Sequence, residues 1–311
     1  MTDKNRCGVV FSSLSGSHRA QKRWRHIRQY MEFRGVAYDF VQSEGFGSVE
    51  RLTRMLCENG YRTIVIVGGD GALNDAVNGI LSVVDRLPDD FAFGVLPNGT
   101  GNDFASFWGI GYDNYKQSVD NIISRRTRKV DVGVCYLCNE SVCIRRSFLN
   151  CVNIGFGARL VGLTGKWMRL MGGKRWSLLP VFLSQIFERK SFKVRLKADT
   201  ETFEQEVMSI CVGNAHGYGQ TPNAVPYNGM LDMSIITRPL WWQLFEGFWL
   251  LGKGQFLNYR NVHPYRVEQV EFFDLGHASV SLDGSLISDT HISTLKLTVE
   301  QEKLQFIVGN D

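Results

Sequence analysis

The feature that most constrains this chain is a β-branched run that passes without a linker into three glycines and a helix-forming stretch: Ile64-Val65-Ile66-Val67-Gly68-Gly69-Asp70-Gly71-Ala72-Leu73-Asn74-Asp75. A short, continuously apolar run is a strand covered on both faces, and a helix that follows at once implies a βαβ unit in a parallel sheet. The device recurs one unit later in Phe93-Gly94-Val95-Leu96-Pro97-Asn98-Gly99-Thr100-Gly101-Asn102-Asp103-Phe104-Ala105. Strand signals at residues 7–11, 36–41, 63–67 and 91–96 alternate with helical signals at 19–34, 49–59, 75–84 and 104–108. After about Lys129 the pattern changes to β-rich runs at 130–136, 141–154, 191–196, 206–211, 231–236, 263–273, 278–282 and 294–308. Strands with few helices between them predict an antiparallel sandwich or barrel. The expected organisation is an α/β domain with a parallel sheet at 1–129 and an antiparallel β-sandwich domain at 130–311, the last strand or helix being free to return to the first domain. A length of 311 residues suits two domains of roughly 150 residues each.

The glycine turns carry the chemistry. Without Cβ atoms such a loop can adopt positive φ and bring backbone N–H groups against an anion, and the helix that follows adds its positive end. The spacing is not GxGxxG, and the Lys and Ser/Thr of a Walker A loop are missing. A strand-to-helix turn that needs glycine only for its shape accounts for the same residues, with Asn102 or Asp103 as a plain N-cap. Two such turns at the carboxyl ends of successive strands face one crevice. They would gather Asp70 and Asp103 around it, and two carboxylates beside a phosphate cradle can hold Mg²⁺ or accept a proton from an attacking hydroxyl.

Net charge is only +4, but residues 159–197 hold ten Lys or Arg against Glu188 alone. Interleaved with Trp167, Leu170, Trp176 and Phe182, those bases suit an anionic membrane surface, or a solvated basic helix packed on its own domain. No nucleic-acid-binding motif accompanies them. Seven cysteines scattered through apolar segments read as buried thiols in a reducing compartment, and Cys135 and Cys138 lack the second pair of a zinc site. The start, Met1-Thr2-Asp3-Lys4-Asn5-Arg6, has no apolar leader, and the stretches 176–187 and 239–251 are too short or interrupted to span a bilayer. Trp241, Trp242, Phe245, Phe248 and Trp249 at helical spacing read as core or interface ahead of a lipid port. The run from Arg125 to Lys129 reads as an exposed basic loop between domains.

Taken in order, GGDG with LNDAVNG, LPNGTGNDFA, the segment Phe148-Leu149-Asn150-Cys151-Val152-Asn153-Ile154-Gly155-Phe156-Gly157-Ala158, then Gly213-Asn214-Ala215-His216-Gly217-Tyr218-Gly219 and Asn228-Gly229-Met230-Leu231-Asp232, resemble the diacylglycerol kinase and lipid kinase family over nearly the whole chain. The resemblance implies a fold of the NAD kinase and diacylglycerol kinase type. It implies ATP and Mg²⁺ as cofactors and a membrane lipid as substrate, diacylglycerol or a sphingoid- or ceramide-type lipid. Gly68, Gly69, Gly71, Ala72 and Asn74 would wrap the nucleotide phosphates. Gly16, Ser43, Thr100, Gly101 and Asn102 would complete the nucleotide site. Asp70 and Asp103 would form its acidic part, with Asp283 of the Leu282-Asp283-Gly284-Ser285 segment as a third catalytic candidate. Asn228 and Met230 fall in the segment that helps hold a structural Mg²⁺ in the bacterial enzymes. The implied setting is cytoplasmic, peripheral to the inner face of the membrane, with transient membrane-surface association, no nucleic acid and a homodimer as an open arrangement.

Departures from the family pattern define the alternatives. Ala72 replaces a hydroxyl residue after GGDG, Asn228 replaces an Asp, and Ser285 stands where the family carries a Glu regarded as the general base. A serine with no base beside it does not accept a proton near neutral pH, so Asp70, Asp103 or Asp283 would take that role. Two further readings stand beside the kinase: a catalytically silent nucleotide- or lipid-binding protein, and NAD kinase, which shares the GGDG loop.

Overall fold

Parallel strands buried on both faces must be apolar throughout, and the strands that begin this chain meet that demand. In a computed structural model that describes residues 6–12, 18–45, 47–99, 101–139, 141–160, 191–276, 278–287 and 292–309, β1 (Cys7–Phe11), β3 (Thr63–Gly68) and β4 (Ala92–Pro97) are buried at every position. With the half-buried edge strand β2 (Tyr38–Gln42) they pair in parallel in the order β2-β1-β3-β4. The helices α1 (His18–Phe33), α2 (Ser48–Glu58), α3 (Asp70–Leu81), α4 (Asp103–Phe107) and α5 (Tyr115–Ser124) fall between and after them. Apolar side chains of α1 and α5 cover the sheet, and Trp24 of α1 stacks on Phe11 and Phe40. Helix α2 turns Val49, Leu52, Leu56 and Cys57 inward at 3–4 residue spacing.

The chain divides into two compact units, Met1–Val130 with Glu302–Asp311, and Asp131–Gln301. Two strands, β5 (Thr127–Cys138) and β16 (Thr294–Ile307), carry the chain from one to the other. In the first unit Phe306 of β16 pairs in parallel with Phe93 of β4.

The second unit is an antiparallel sandwich. One sheet contains β13 (Gln269–Phe273) between β16 and β8 (Phe192–Ala198), with β9 (Glu201–Val207) beside β8 and with β5 paired to β6 (Cys143–Phe148). The other runs β12 (Val262–Val267), β11 (Leu231–Ile236), β10 (Ser209–Gly213), β7 (Cys151–Gly155), β14 (Val280–Leu282), β15 (Ser285–Ile287). Side chains of both sheets, among them Val152, Ile210, Met233, Leu196, Phe272 and Leu295, make one core. Helix α6 (Gln243–Gly252) follows β11.

Several expectations change here. The runs 141–154, 206–211 and 263–273 are not single strands; each is cut in two, at Leu149-Asn150, Met208 and Glu268, and the halves enter different sheets. An apolar run looks the same whether or not it crosses a sandwich, so the pattern alone does not mark the crossing. Cys138 and Cys143 are not thiols: the β5–β6 register sets them opposite one another, and a disulfide joins them. Cys7, Cys57, Cys135, Cys151 and Cys211 are buried and free. The basic run near Arg125 is used within the first unit. Arg125 donates to Thr63 Oγ1 (3.0 Å) and Arg62 O (3.1 Å), and Lys129 pairs with Glu302.

Residues 161–190, with most of the basic amphipathic segment, lie outside the described residues. On β8, Lys193 and Arg195 stand opposite Glu206 and Glu204 of β9, a charge-matched solvent face of the sheet.

Helices α2 and α3 approach closely at Gly79, where an added Cβ would collide with the Glu50 carbonyl oxygen and lie 3.2 Å from its carbon. Gly79→Ala is expected to destabilise the protein by about 1–3 kcal/mol. Gly111→Ala, which meets open space, serves as the control that leaves the thermal midpoint in place.

Candidate functional site

The carboxyl ends of β3 and β4 set the two glycine turns side by side. Asn98 N donates to Gly68 O (2.8 Å), and a Cβ on Gly99 would sit 2.5 Å from Gly69 Cα and 3.1 Å from Gly69 N. The expected use of glycine for positive φ is corrected by this geometry. Gly69 is extended at φ −100° and ψ −171°, and Gly68, Gly71 and Gly99 are not among the positive-φ residues. What excludes a side chain is the approach of two backbones.

Asn102, at φ 57°, closes the second turn on itself: its Oδ1 accepts from Gly99 N (3.0 Å) and its Nδ2 donates to Gly99 O (2.8 Å). The cap of α4 comes from elsewhere. Asp70, the first residue of α3, accepts from Asp103 N (3.1 Å) and Phe104 N (3.2 Å). One carboxylate thus ties the start of one helix to the start of the other, a role that neither Asn102 nor Asp103 fills. Desolvation pushes the Asp70 carboxyl above its ordinary pKa, the nearby Asp103 charge adds to the rise, and N–H bonds from Asp103, Phe104 and Asn102 pull it back. Asp103 itself is partly exposed.

The other residues predicted for the nucleotide site are spread along the first unit. Ser43 is buried at the end of β2, its N–H on Phe11 O (2.8 Å). Gly71, Ala72 and Asn74 lie in the first turns of α3, with Ala72 and Asn74 buried, and Gly101 is exposed. Gly16 and Thr100 lie outside the described residues.

Arg23 is a site residue that sequence reasoning missed. Its guanidinium lies 3.8 Å from the Tyr112 ring centroid and donates to Pro97 O (3.2 Å) and Tyr112 O, bracing the strand end that delivers the second turn. One base among several on α1 carries no linear signal of that contact.

These residues fit a phosphate-bearing ligand. The first N–H groups of α3 have no partner within the helix, and the helix directs its positive end to this edge. Of the residues expected at a metal site, Asn228 accepts on Oδ1 from Met230 N (3.0 Å), which closes its own turn. Among the described residues no group of three His, Cys, Asp or Glu could hold an ion.

In the second unit the motif segments meet in one polar network. Asp283 and Gly284, both at positive φ, form the two-residue turn between β14 and β15. The Asp283 carboxylate, 2% exposed, accepts from Leu149 N (2.7 Å), Asn150 N (2.9 Å) and Cys151 N (2.9 Å), where the chain breaks between β6 and β7. Asn150 Oδ1 accepts from Gly217 N (3.0 Å). Asn214 Nδ2 donates to Leu149 O (2.9 Å) and Asp131 O (3.0 Å), and Asp131 Oδ2 accepts from Gly229 N (2.7 Å). Asp283, expected as a catalytic group, is therefore engaged with backbone donors on both oxygens. Ser285 is exposed at the first position of β15.

Gly99→Ala is expected to separate the turns and lower stability by about 1–3 kcal/mol, read as a fall in the thermal midpoint. Asp283→Ala strands three buried N–H groups and is expected to cost about 3 kcal/mol or more in chemical denaturation. A midpoint unchanged by either variant would contradict the corresponding contact.

Comparison with known proteins bears on both units. Residues 6–135 match the family model of the diacylglycerol kinase catalytic domain, and residues 150–306 match that of the YegS C-terminal NAD kinase beta sandwich-like domain. The chain is 22% identical over 287 residues to a diacylglycerol kinase of Bacillus subtilis (strain 168), covering 90% of this chain and 89% of that protein. It is 30% identical over 201 residues to a Shewanella frigidimarina protein named "Probable lipid kinase YegS-like", covering 63% and 61%. In fold it is similar to a Bacillus anthracis str. Sterne protein assigned as a diacylglycerol kinase, with a TM-score of 0.73, 18% identity and 99% of each chain covered. Yeast NADH kinase is a more distant fold neighbour, with a TM-score of 0.55, 10% identity and coverage of 100% of this chain and 85% of that one. Two family models in order along the chain, over the glycine turns and then the sandwich motifs, establish that this chain belongs to the diacylglycerol kinase and YegS-like lipid kinase family.

Proposed function

We propose that this chain transfers the γ-phosphoryl group of ATP to the hydroxyl of a membrane lipid, diacylglycerol or a sphingoid- or ceramide-type lipid, with Mg²⁺ carried on the nucleotide. The observation that carries the reading is the pair of glycine turns pressed backbone to backbone at the start of α3, with Asp70 and Asp103 beside them. Backbone N–H groups of that helix start bind phosphate, and positioning does most of the catalytic work in phosphoryl transfer. Asp70 positions the second turn through α4. Asp103, partly exposed and held in place at the start of α4 by Asp70, accepts the proton of the attacking hydroxyl. Asp283 acts as a positioning residue, because its oxygens hold the backbone of residues 149–151.

Relatives named diacylglycerol kinase along nine tenths of this chain support the substrate class. No helix among the described residues is long and apolar enough to cross a membrane, and the reading takes the enzyme to its lipid by transient peripheral association on the cytoplasmic side. The exposed Ser285 supports a second reading, a silent nucleotide- or lipid-binding protein, because the family's Glu is missing there.

The two readings part in an assay of radiolabelled phosphate transfer from ATP to diacylglycerol, sphingoid and ceramide acceptors. Turnover supports the kinase; nucleotide binding in calorimetry with no labelled lipid supports the silent protein. Asp70→Asn is expected to lower turnover by about a hundredfold, the cost of a misplaced second turn, while circular dichroism reports a folded chain. Equal turnover by wild type and variant would remove Asp70 from the site.

A pH series adds a second check. An acid held above its ordinary pKa in the folded state costs stability once pH rises past the unfolded value, and that cost grows until the folded group has also ionised. The Asn variant lacks the cost, so its thermal midpoint relative to wild type is expected to rise as pH climbs above about 4.

A further inference from the structure

Helix α6 has two faces of different character. Its inner side is occupied: Leu244 and Leu250 join Phe156, Met208, Ile236, Phe256, Tyr259 and Val262 in a core, and Gly247 lets the Tyr259 ring come within 3.0 Å of where a Cβ would stand. Its outer side is just as apolar but faces water. Leu240, Trp241 and Trp242 in the turn before the helix, and Phe245 and Trp249 one helical turn apart on it, are each 50–60% exposed. Of the two positions the sequence offered, core or interface, the core is closed to these side chains, since the space beneath α6 is already filled by others. Three of the chain's seven tryptophans stand on this face.

Exposed aromatics of this density mark a contact surface. What borders them decides the partner. Arg238, Lys253 and Arg260 are exposed around the stripe, with Glu246 the one acid on α6, paired to Arg260. Lys253 Nζ lies 3.8 Å from the Trp249 ring centroid. A folded protein partner would have to desolvate these cations. At a lipid interface the rings enter the headgroup and upper acyl region, and the cations stay at the level of anionic headgroups.

We propose that the Leu240, Trp241, Trp242, Phe245 and Trp249 face is a docking surface for an anionic lipid bilayer, with Lys253 and Arg260 as its headgroup contacts. This deepens the proposed lipid-kinase reading and rests on it for the choice of partner.

The test uses the full chain without nucleotide, sedimented with vesicles of phosphatidylcholine with and without phosphatidylglycerol. Wild type is expected to bind the anionic vesicles. The combined Trp241→Ser, Phe245→Ser, Trp249→Ser variant is expected to bind at least about tenfold more weakly, given the area of ring each change removes from the interface. Wild type that stays in the supernatant, or a folded variant that binds as tightly, overturns the proposal.

If the serine variant fails to fold, Trp241→Phe, Trp242→Phe, Trp249→Phe keeps the rings. It is expected to bind vesicles but to lose most quenching of tryptophan emission by acyl-brominated lipids; unchanged quenching overturns the assignment. A dimer in sedimentation velocity that the serine variant dissociates, with no vesicle binding by wild type, assigns the face to a second copy and also overturns it.

Phosphorylation of short-chain diacylglycerol dispersed in detergent separates this inference from the kinase reading. Binding lost with detergent activity kept is the expected result for the variant. Vesicle binding by a wild type that phosphorylates no lipid leaves the docking surface standing and removes the kinase.

Discussion

A partly buried carboxylate needs donors, and the glycine-turn edge of the first unit is organised by where Asp70 finds them. It leaves the first position of α3 and accepts the N–H groups of Asp103 and Phe104. Helix α4 spans five residues, Asp103–Phe107, too short to hold its own start firmly in water. The Asp70 bonds give it a fixed origin. That origin fixes Asn102, Asn102 clamps Gly99, and Gly99 can then lie against Gly69. The space between the two turns is therefore set by one acid and two missing Cβ atoms.

The second unit uses the same device for a different purpose. Asp283 sits in a hairpin turn and gathers three backbone N–H groups where β6 gives way to β7. Asn150, Asn214 and Asp131 extend that bonding to the segments at Gly217 and Gly229. Buried polar groups of this kind call for partners, and here the motif residues supply most of them to one another, with Asn214 Oδ1 left without one among the described residues. Their presence in recognisable segments reflects the making of a frame at least as much as contact with a ligand.

Much of this was legible in the linear chain. Ile64 to Val67 could only be a buried strand, and the glycines after it could only be a tight turn into a helix. The β-rich second half announced an antiparallel sandwich or barrel through its strand spacing. Other features had no linear signal. Met208 and Glu268 move the chain from one sheet to the other, yet each sits in a run that reads as one strand. Arg23 is one base among many on α1 until it is seen over Tyr112. Asp283-Gly284 did carry a signal, since Asp-Gly is a favoured two-residue hairpin turn. As part of a site motif it reads as chemistry, and the turn goes unnoticed.

The sequence by itself determined the layer types, the order of the two units and the location of the glycine turns. Apolar period, glycine and β-branching are local properties and act wherever the chain goes. Only the tertiary structure decided which acid caps which helix, which cysteines meet, and which aromatic face is left outside. Asp70 reaches α4 across 33 residues, and Trp249 is exposed because Leu244 and Leu250 already fill the core beneath it. Such outcomes depend on competition for donors and for interior volume, and that competition is settled only when all the elements are packed.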